Sequence, residues 1–121
     1  MENKEVDNKE LDIILNLHKA LDAKFAGDMV VLDLRGVSPI ADFFLLATAG
    51  SAPQMQAIAE VAEETLMKEG LKLGHREGVQ TAKWVLLDFG SIVIHLFDKE
   101  SREYYNLERT WGDAKVVEIN Q

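Results

Sequence analysis

Apolar residues recur along this chain with two periods, and the switches between them mark its elements. Ile14, Leu17, Leu21 and Phe25 fall at helical spacing, with Ile13 and Ala20 beside them. Asp7 and Glu10 stand ahead of this run as a capping pair, and Gly27 follows it as a helix-ending residue. The spacing predicts a first helix over residues 8–25, behind a flexible tail of residues 1–7. Met29 to Leu34 and Phe43 to Thr48 are short apolar runs that read as buried strands. The second is apolar at every other position on both faces, which predicts a central place in a sheet.

Gly50 breaks the second strand, and Ser51-Ala52-Pro53-Gln54 forms a capping box with proline in the first turn. Met55, Ile58, Ala62 and Leu66 make the stripe of a second helix, which Gly70 closes. Leu71 to His75 reads as a third strand, parallel to the second across the helical crossover. After the loop EGVQTA, Lys83 to Asp88 and Ser91 to Phe97 read as an antiparallel hairpin turning at Phe89-Gly90. Asp98 is placed to cap a short helix through Tyr105. The order α-β-β-α-β-β-β-α predicts one α/β domain over residues 8–114, with a C-terminal tail of residues 115–121. It is a single mixed sheet of about five strands with helices mainly on one face.

Alternation within the hairpin separates two faces. Val85 and Leu87 share one with Ile92, Ile94 and Leu96, an aliphatic set suited to a helix-covered core. Trp84, Leu86 and Asp88 share the other with Val93, His95 and Phe97. A two-residue turn pairs Leu86 with Val93 and Trp84 with His95, and a bulge at Gly90 shifts that pairing by one. A face mixing Trp, His and Asp with apolar residues is half-solvated and open to a partner. The alternative is that Trp84 and His95 pack under Tyr104, Tyr105 and Trp111.

Composition narrows the partner. Apolar residues at 47% and charged residues at 28% exclude a disordered chain. The net charge of −8 disfavours a phosphate backbone and hence direct DNA binding. It suits a basic protein surface instead. No cysteine is present, which removes disulfides and thiolate chemistry. No apolar stretch approaches the ~20 residues of a membrane helix. The acidic N-terminus resembles neither a signal nor a transit peptide, so a cytoplasmic location is expected.

Candidate chemistry is sparse. His18, His75 and His95 are scattered without metal-ligand spacing, and no phosphate-loop or nucleophile-elbow motif occurs, so no metal or cofactor is expected. Gly50-Ser51 between a strand and a helix matches the place where nucleotidyltransferases bind a phosphate, but the following LKLGH lacks the paired carboxylates that hold their metals. Asp33, Asp42 and Asp88 are single acids on separate elements, and a His95–Asp88 pair has no nucleophile beside it. No catalytic residue is assigned.

The segments VLDLRGVSPIADFFLLATAGSAPQMQAIAE (31–60), Glu77-Gly78, KWVLLDFGSIVIHLF (83–97) and REYYNLERTW (102–111) together resemble the ribosomal silencing factor family, RsfS or Iojap. Asp33, Ser38, Asp42, Phe44, Gly50, Ser51, Gln54, Trp84, Asp88, Gly90, His95, Arg102, Tyr105, Leu107, Glu108 and Trp111 carry the match. Pro53, Ser91 and Thr110 depart from the family pattern, where Arg, Asp and Leu are usual. The resemblance implies a nucleotidyltransferase-like fold without catalytic acids. It further implies binding to the large ribosomal subunit through ribosomal protein uL-fourteen. That binding blocks small-subunit joining and represses translation when nutrients are scarce. Glu77, Trp84, Leu86, Asp88, His95, Arg102, Tyr105, Glu108 and Trp111 are then the expected partner-binding residues. Competing readings are a nucleotidyltransferase-like enzyme, a ribosome assembly factor, and a homodimer of the free protein that buries the Trp84 face.

Overall fold

A computed structural model describes residues 2–119, with side chains from Lys9 onward. Its elements are α1 (Glu2–Asp22), β1 (Gly27–Asp33), β2 (Phe43–Thr48), α2 (Ala52–Lys68), β3 (His75–Glu77), β4 (Trp84–Asp88), β5 (Ile92–Phe97), α3 (Lys99–Tyr105), α4 (Leu107–Thr110) and β6 (Lys115–Val117). The strands form one mixed sheet in the order β3-β4-β5-β2-β1-β6. Only β2 and β5 run parallel as neighbours, and every other adjacent pair is antiparallel.

β2 holds the central place its two-sided apolar pattern predicts. Its Phe43, Leu45 and Ala47 point to one face, and Phe44 and Leu46 to the other. On the first face they meet Ile14, Leu17 and Leu21 of α1 and Met55, Ile58, Ala62 and Leu66 of α2. The hairpin adds Val85, Leu87, Ile92, Ile94 and Leu96 to this main core, the aliphatic set read from the alternation. Each fully buried Leu or Ile here contributes roughly 1.5–3 kcal/mol of transfer free energy. A smaller cluster on the opposite face joins Leu32, Leu34, Phe44, Leu46, Val93 and Phe97.

Several boundaries differ from the sequence reading. α1 begins at Glu2, so Asp7 lies inside the helix and does not cap it. Glu and Lys are good helix formers and carry the helix through the expected tail. The helix also stops early. Ala26 N–H donates to Leu21 O and Phe25 N–H to Asp22 O, a Schellman closure with Phe25 in the left-handed position at φ 63°. Phe25 is therefore 84% exposed rather than part of the apolar stripe, and Gly27 opens β1. The same closure recurs after α2, where Gly70 takes the left-handed place as expected.

The third strand starts later than expected. Leu71 and Leu73 pack on the core as an extended segment without a ladder, and pairing with β4 begins only at His75. β3 keeps the direction of β2 but lies at the sheet edge, separated from it by β4 and β5. A sixth strand appears in the expected C-terminal tail, where Lys115–Val117 pairs with Val31–Asp33 along the free edge of β1. β-branched Val116 and Val117 suit that edge, and Val117 and Ile119 pack against the core. Met1, Asn120 and Gln121, the extremes of the two expected tails, lie outside the described residues.

The hairpin register is two residues away from the direct reading. Leu86 faces His95, Trp84 faces Phe97 and Asp88 faces Val93. The turn is Gly90-Ser91, closed by Phe89 N–H to Ile92 O, with Gly90 at φ 84°. Phe89 cannot easily take the positive φ that the expected turn demanded of it, and glycine can. A shift of two preserves both faces.

Phe25 occupies a conformation that costs a non-glycine residue about 1 kcal/mol or more. Phe25→Gly is expected to raise unfolding stability by about 1 kcal/mol, since the exposed ring forfeits little burial. Urea denaturation measures it, and unchanged or lower stability contradicts the helix closure described.

Candidate functional site

The face opposite the two long helices is covered at one end and open at the other. α3 starts at Asp98, whose Oδ1 accepts the Ser101 N–H at 2.8 Å, and this bond holds the Asp98 carboxyl below its usual pKa. Asn106, in the left-handed conformation, kinks the chain into α4. The kink lets Arg102 meet Glu108 in a fork, with bonds of 3.1 and 3.0 Å. Arg102 also donates to Thr48 Oγ1 at the end of β2, at 3.0 Å. Its side chain is only 11% exposed, and its hydrogen bonds hold Glu108 below the ordinary carboxylate range. Arg102 and Glu108 were expected to face a partner. The structure turns them on each other, and together they clamp the α3–α4 segment to the sheet.

The clamp seats a run of rings. Tyr105 lies 4.6 Å from Trp84, Trp84 stacks on Phe97 at 5.1 Å, and Trp111 meets Phe44 edge-on at 5.5 Å. Phe44 in turn meets His95 at 4.5 Å. The expected cover is thus real for Tyr105 over Trp84, while Trp111 packs on Phe44 instead and Tyr104 projects outward at 80% exposure. Phe44 and Leu107 belong to this surface although the sequence reading did not assign them to it, and Tyr104 meets Tyr105 edge-on at 5.0 Å. The alternation of β2 places Phe44 opposite Phe43 and was the available signal.

Past the rings the face opens. Glu77, Gly78, Trp84 and Leu86 line a cleft of about 290 Å³. Trp84, Leu86 and Asp88 are each half-buried. Glu77 sits opposite Leu86 across the ladder, its side chain 65% exposed and 3.1 Å from His75 Nε2. Gly78, at φ 80°, is required here, because a Cβ would overlap the Trp84 carbonyl oxygen. Thr81 Oγ1 and the Ala82 N–H both donate to the Gly78 carbonyl and fix the loop as the cleft wall. Asp88 spends one carboxylate oxygen on the Gly90 N–H at 2.8 Å, shaping the turn.

His95 is the expected contact that the structure withdraws from the surface. It is 4% exposed, boxed in by Phe44, Trp84 and Phe97. Trp84 Nε1–H donates to its Nδ1 at 3.2 Å. Burial pulls its pKa down from 6.5 to about 4, with the Asp88 carboxylate acting weakly the other way. His95 is therefore neutral at pH 7.

The phosphate-binding alternative, which would use Ser51, Asp42 and Asp88, finds Ser51 and Asp88 in structural hydrogen bonds. Ser51 Oγ accepts the Gln54 N–H as the helix cap, and Gln54 reaches back to the Gly50 N–H and across to the carbonyls of Lys24 and Phe25. Asp33 is forked to Arg35, which lowers its pKa, and it lies on the opposite sheet face from Asp88. Among the described residues no group of His, Asp and Glu is arranged to hold a metal, and no helix is long and apolar enough to cross a membrane.

The His95 shift has a sign that can be checked. The unfolded chain takes up a proton near pH 6.5 and the folded chain only near 4, so stability is full above 6.5 and is lost as pH falls between these values. From pH 7 to 5 the loss is expected to be about 2 kcal/mol. In His95→Asn that part of the slope should vanish in urea titrations. An identical slope contradicts a buried, neutral His95.

Comparison with known proteins agrees with this architecture. The family described as "Ribosomal silencing factor during starvation" matches residues 7–121. The chain is 45% identical to the ribosomal silencing factor RsfS of Halalkalibacterium halodurans, over 83% of this chain and 86% of that one. It is 42% identical to RsfS of Bacillus subtilis, over 84% and 86%. A crystal structure from Bacillus halodurans superposes with a TM-score of 0.78 at 37% identity, covering 90% of this chain and 99% of that one. The family match over residues 7–121 and these identities show that this chain belongs to the ribosomal silencing factor (RsfS) family.

Proposed function

We propose that this protein is a translational silencer that works by steric exclusion. It binds the large ribosomal subunit through ribosomal protein uL-fourteen and keeps the small subunit from joining under nutrient limitation. The observation that carries this reading is the open end of the sheet face, where Trp84 and Leu86 stay half-uncovered beside Glu77 in an acidic chain of the RsfS family. Relatives of this chain bear the name ribosomal silencing factor. Ribosomal proteins are basic, so a net charge of −8 steers the domain toward them and away from ribosomal RNA. Trp84 and Leu86 act as the desolvated anchor, Tyr105 and Trp111 widen it, and Glu77 with Asp88 meets Lys or Arg at the rim. Arg102 and Glu108 contribute by holding the aromatic segment in place. The role is regulatory rather than enzymatic, and its site is the cytoplasm.

The same half-open face also serves for self-association. Apolar surface left uncovered when the ribosome is absent gains by pairing with a second copy. Homodimerisation and ribosome binding would then compete for Trp84.

Co-sedimentation with separated ribosomal subunits tests the proposal. Wild type is expected to pellet with the large subunit alone and to lower the yield of joined ribosomes. Trp84→Ala should weaken binding by roughly 30-fold, the equivalent of about 2 kcal/mol for a central aromatic. Glu77→Lys should weaken it less, and mainly at low salt. Pelleting with neither subunit, or a larger loss at Glu77 than at Trp84, rejects the reading.

A further inference from the structure

The hydrogen bond beneath the cleft has a consequence for binding that goes past the choice of partner. We propose that His95 is a positioning residue for the open face: its Nδ1 holds the indole N–H of Trp84 inward, so that a partner meets the ring of Trp84 and not its polar edge. This rests on the reading of that face as the ribosome-binding surface.

The β4–β5 register sets up the contact. Leu86 stands opposite His95 and Trp84 opposite Phe97, so Trp84 and His95 are diagonal neighbours on one face, within reach of long side chains. The indole can only donate, and it donates to Nδ1 at 3.2 Å. A neutral imidazole that accepts at Nδ1 carries its proton on Nε2. That Nε2 is buried and has no hydrogen-bond partner among the described residues. Stability therefore does not account for a histidine here, because the site leaves one of its two polar atoms unsatisfied amid Phe44, Leu46 and Phe97. An aliphatic residue, as at Ile94 and Leu96 beside it, would avoid that cost. What histidine adds is an acceptor at one fixed height above the strand. The ring of Trp84 is held from below by Phe97 and from the side by Tyr105, and neither contact fixes which edge of the indole faces out. The bond to Nδ1 does. It also pairs the indole N–H inside the protein, so that Trp84 brings apolar surface to the cleft it lines with Leu86 and Glu77, a site suited to the stem and charge of a basic side chain.

Two measurements on the intact protein decide it. In the free protein, the Trp84 indole proton is followed by 1H–15N NMR, with Trp111→Phe used to assign the signal. Binding to isolated large subunits is followed by sedimentation. Wild type should show a slowly exchanging Trp84 indole proton. His95→Leu should shift that signal, speed its exchange and weaken binding about fivefold, the equivalent of one hydrogen bond. His95→Asn, whose amide oxygen lies near the former Nδ1, should restore both. If His95→Leu does not fold, Trp84→Phe replaces it, since it keeps a ring and removes the donor; binding equal to wild type in that variant overturns the proposal. So does wild-type strength in a folded His95→Leu, or a Trp84 indole proton in wild type that exchanges as freely as an exposed one. Failure of wild type to pellet with large subunits overturns the functional reading and the positioning role with it. Normal pelleting of wild type beside an indifferent His95→Leu removes the positioning role alone.

Discussion

Two adjacent parallel strands that are apolar on both faces impose the constraint from which the rest follows. β2 and β5 are buried along their length, so each face of the sheet centre has to be covered. α1 and α2 cover one face fully, with long apolar stripes and a core that closes around Phe43, Leu45 and Ile94. Past β5 the chain carries no second pair of long helices among the described residues. It supplies two short ones, joined at a left-handed Asn106 and clamped by Arg102 to Glu108 and Thr48. These cover Phe44, Phe97 and part of Trp84, and they stop before Leu86. The incomplete cover leaves Trp84 and Leu86 half-exposed on this face.

Its chemistry follows from position in the sheet. Near the middle, where solvent is excluded, the face is aromatic and His95 is neutral. Toward the β3 edge it becomes acidic through Glu77 and Asp88, and the Gly78 loop walls it off. An apolar centre beside a charged rim is the general layout of a protein-binding patch. In the proposed function, a domain of this size bound to a basic ribosomal protein silences translation by occupying space. Family membership and the half-exposed Trp84 both support that proposal.

Much of this was legible in the residues because strand alternation is local. The two faces of the hairpin, the central place of β2 and the caps at Ser51 and Asp98 depend on neighbours one to four positions away. The errors arose where long-range packing decides. Phe25 has the right spacing for the α1 stripe, but the chain reverses at Ala26 and takes Phe25 out of the helix. LKLGH alternates like a strand, yet only Gly74 and His75 at its end reach the β4 edge. Lys115–Val117 is too short to announce itself and becomes a strand because β1 offers a free edge. The candidate site divides in the same way. Trp84 and Leu86 were visible as one face and Glu77 only through the family resemblance, whereas the burial of His95 depends on Phe44, Trp84 and Phe97 packing around it and the pairing of Arg102 with Glu108 on the left-handed Asn106.

Hydrogen–deuterium exchange of the protein bound to isolated large ribosomal subunits, read by mass spectrometry against the free protein, tests the central claim most directly. If the half-open face is the docking surface, protection should concentrate in residues 77–88 and 104–111, with the solvent side of α1 and α2 unchanged. Protection centred on α1 and α2, with residues 77–88 unaffected, would contradict the account.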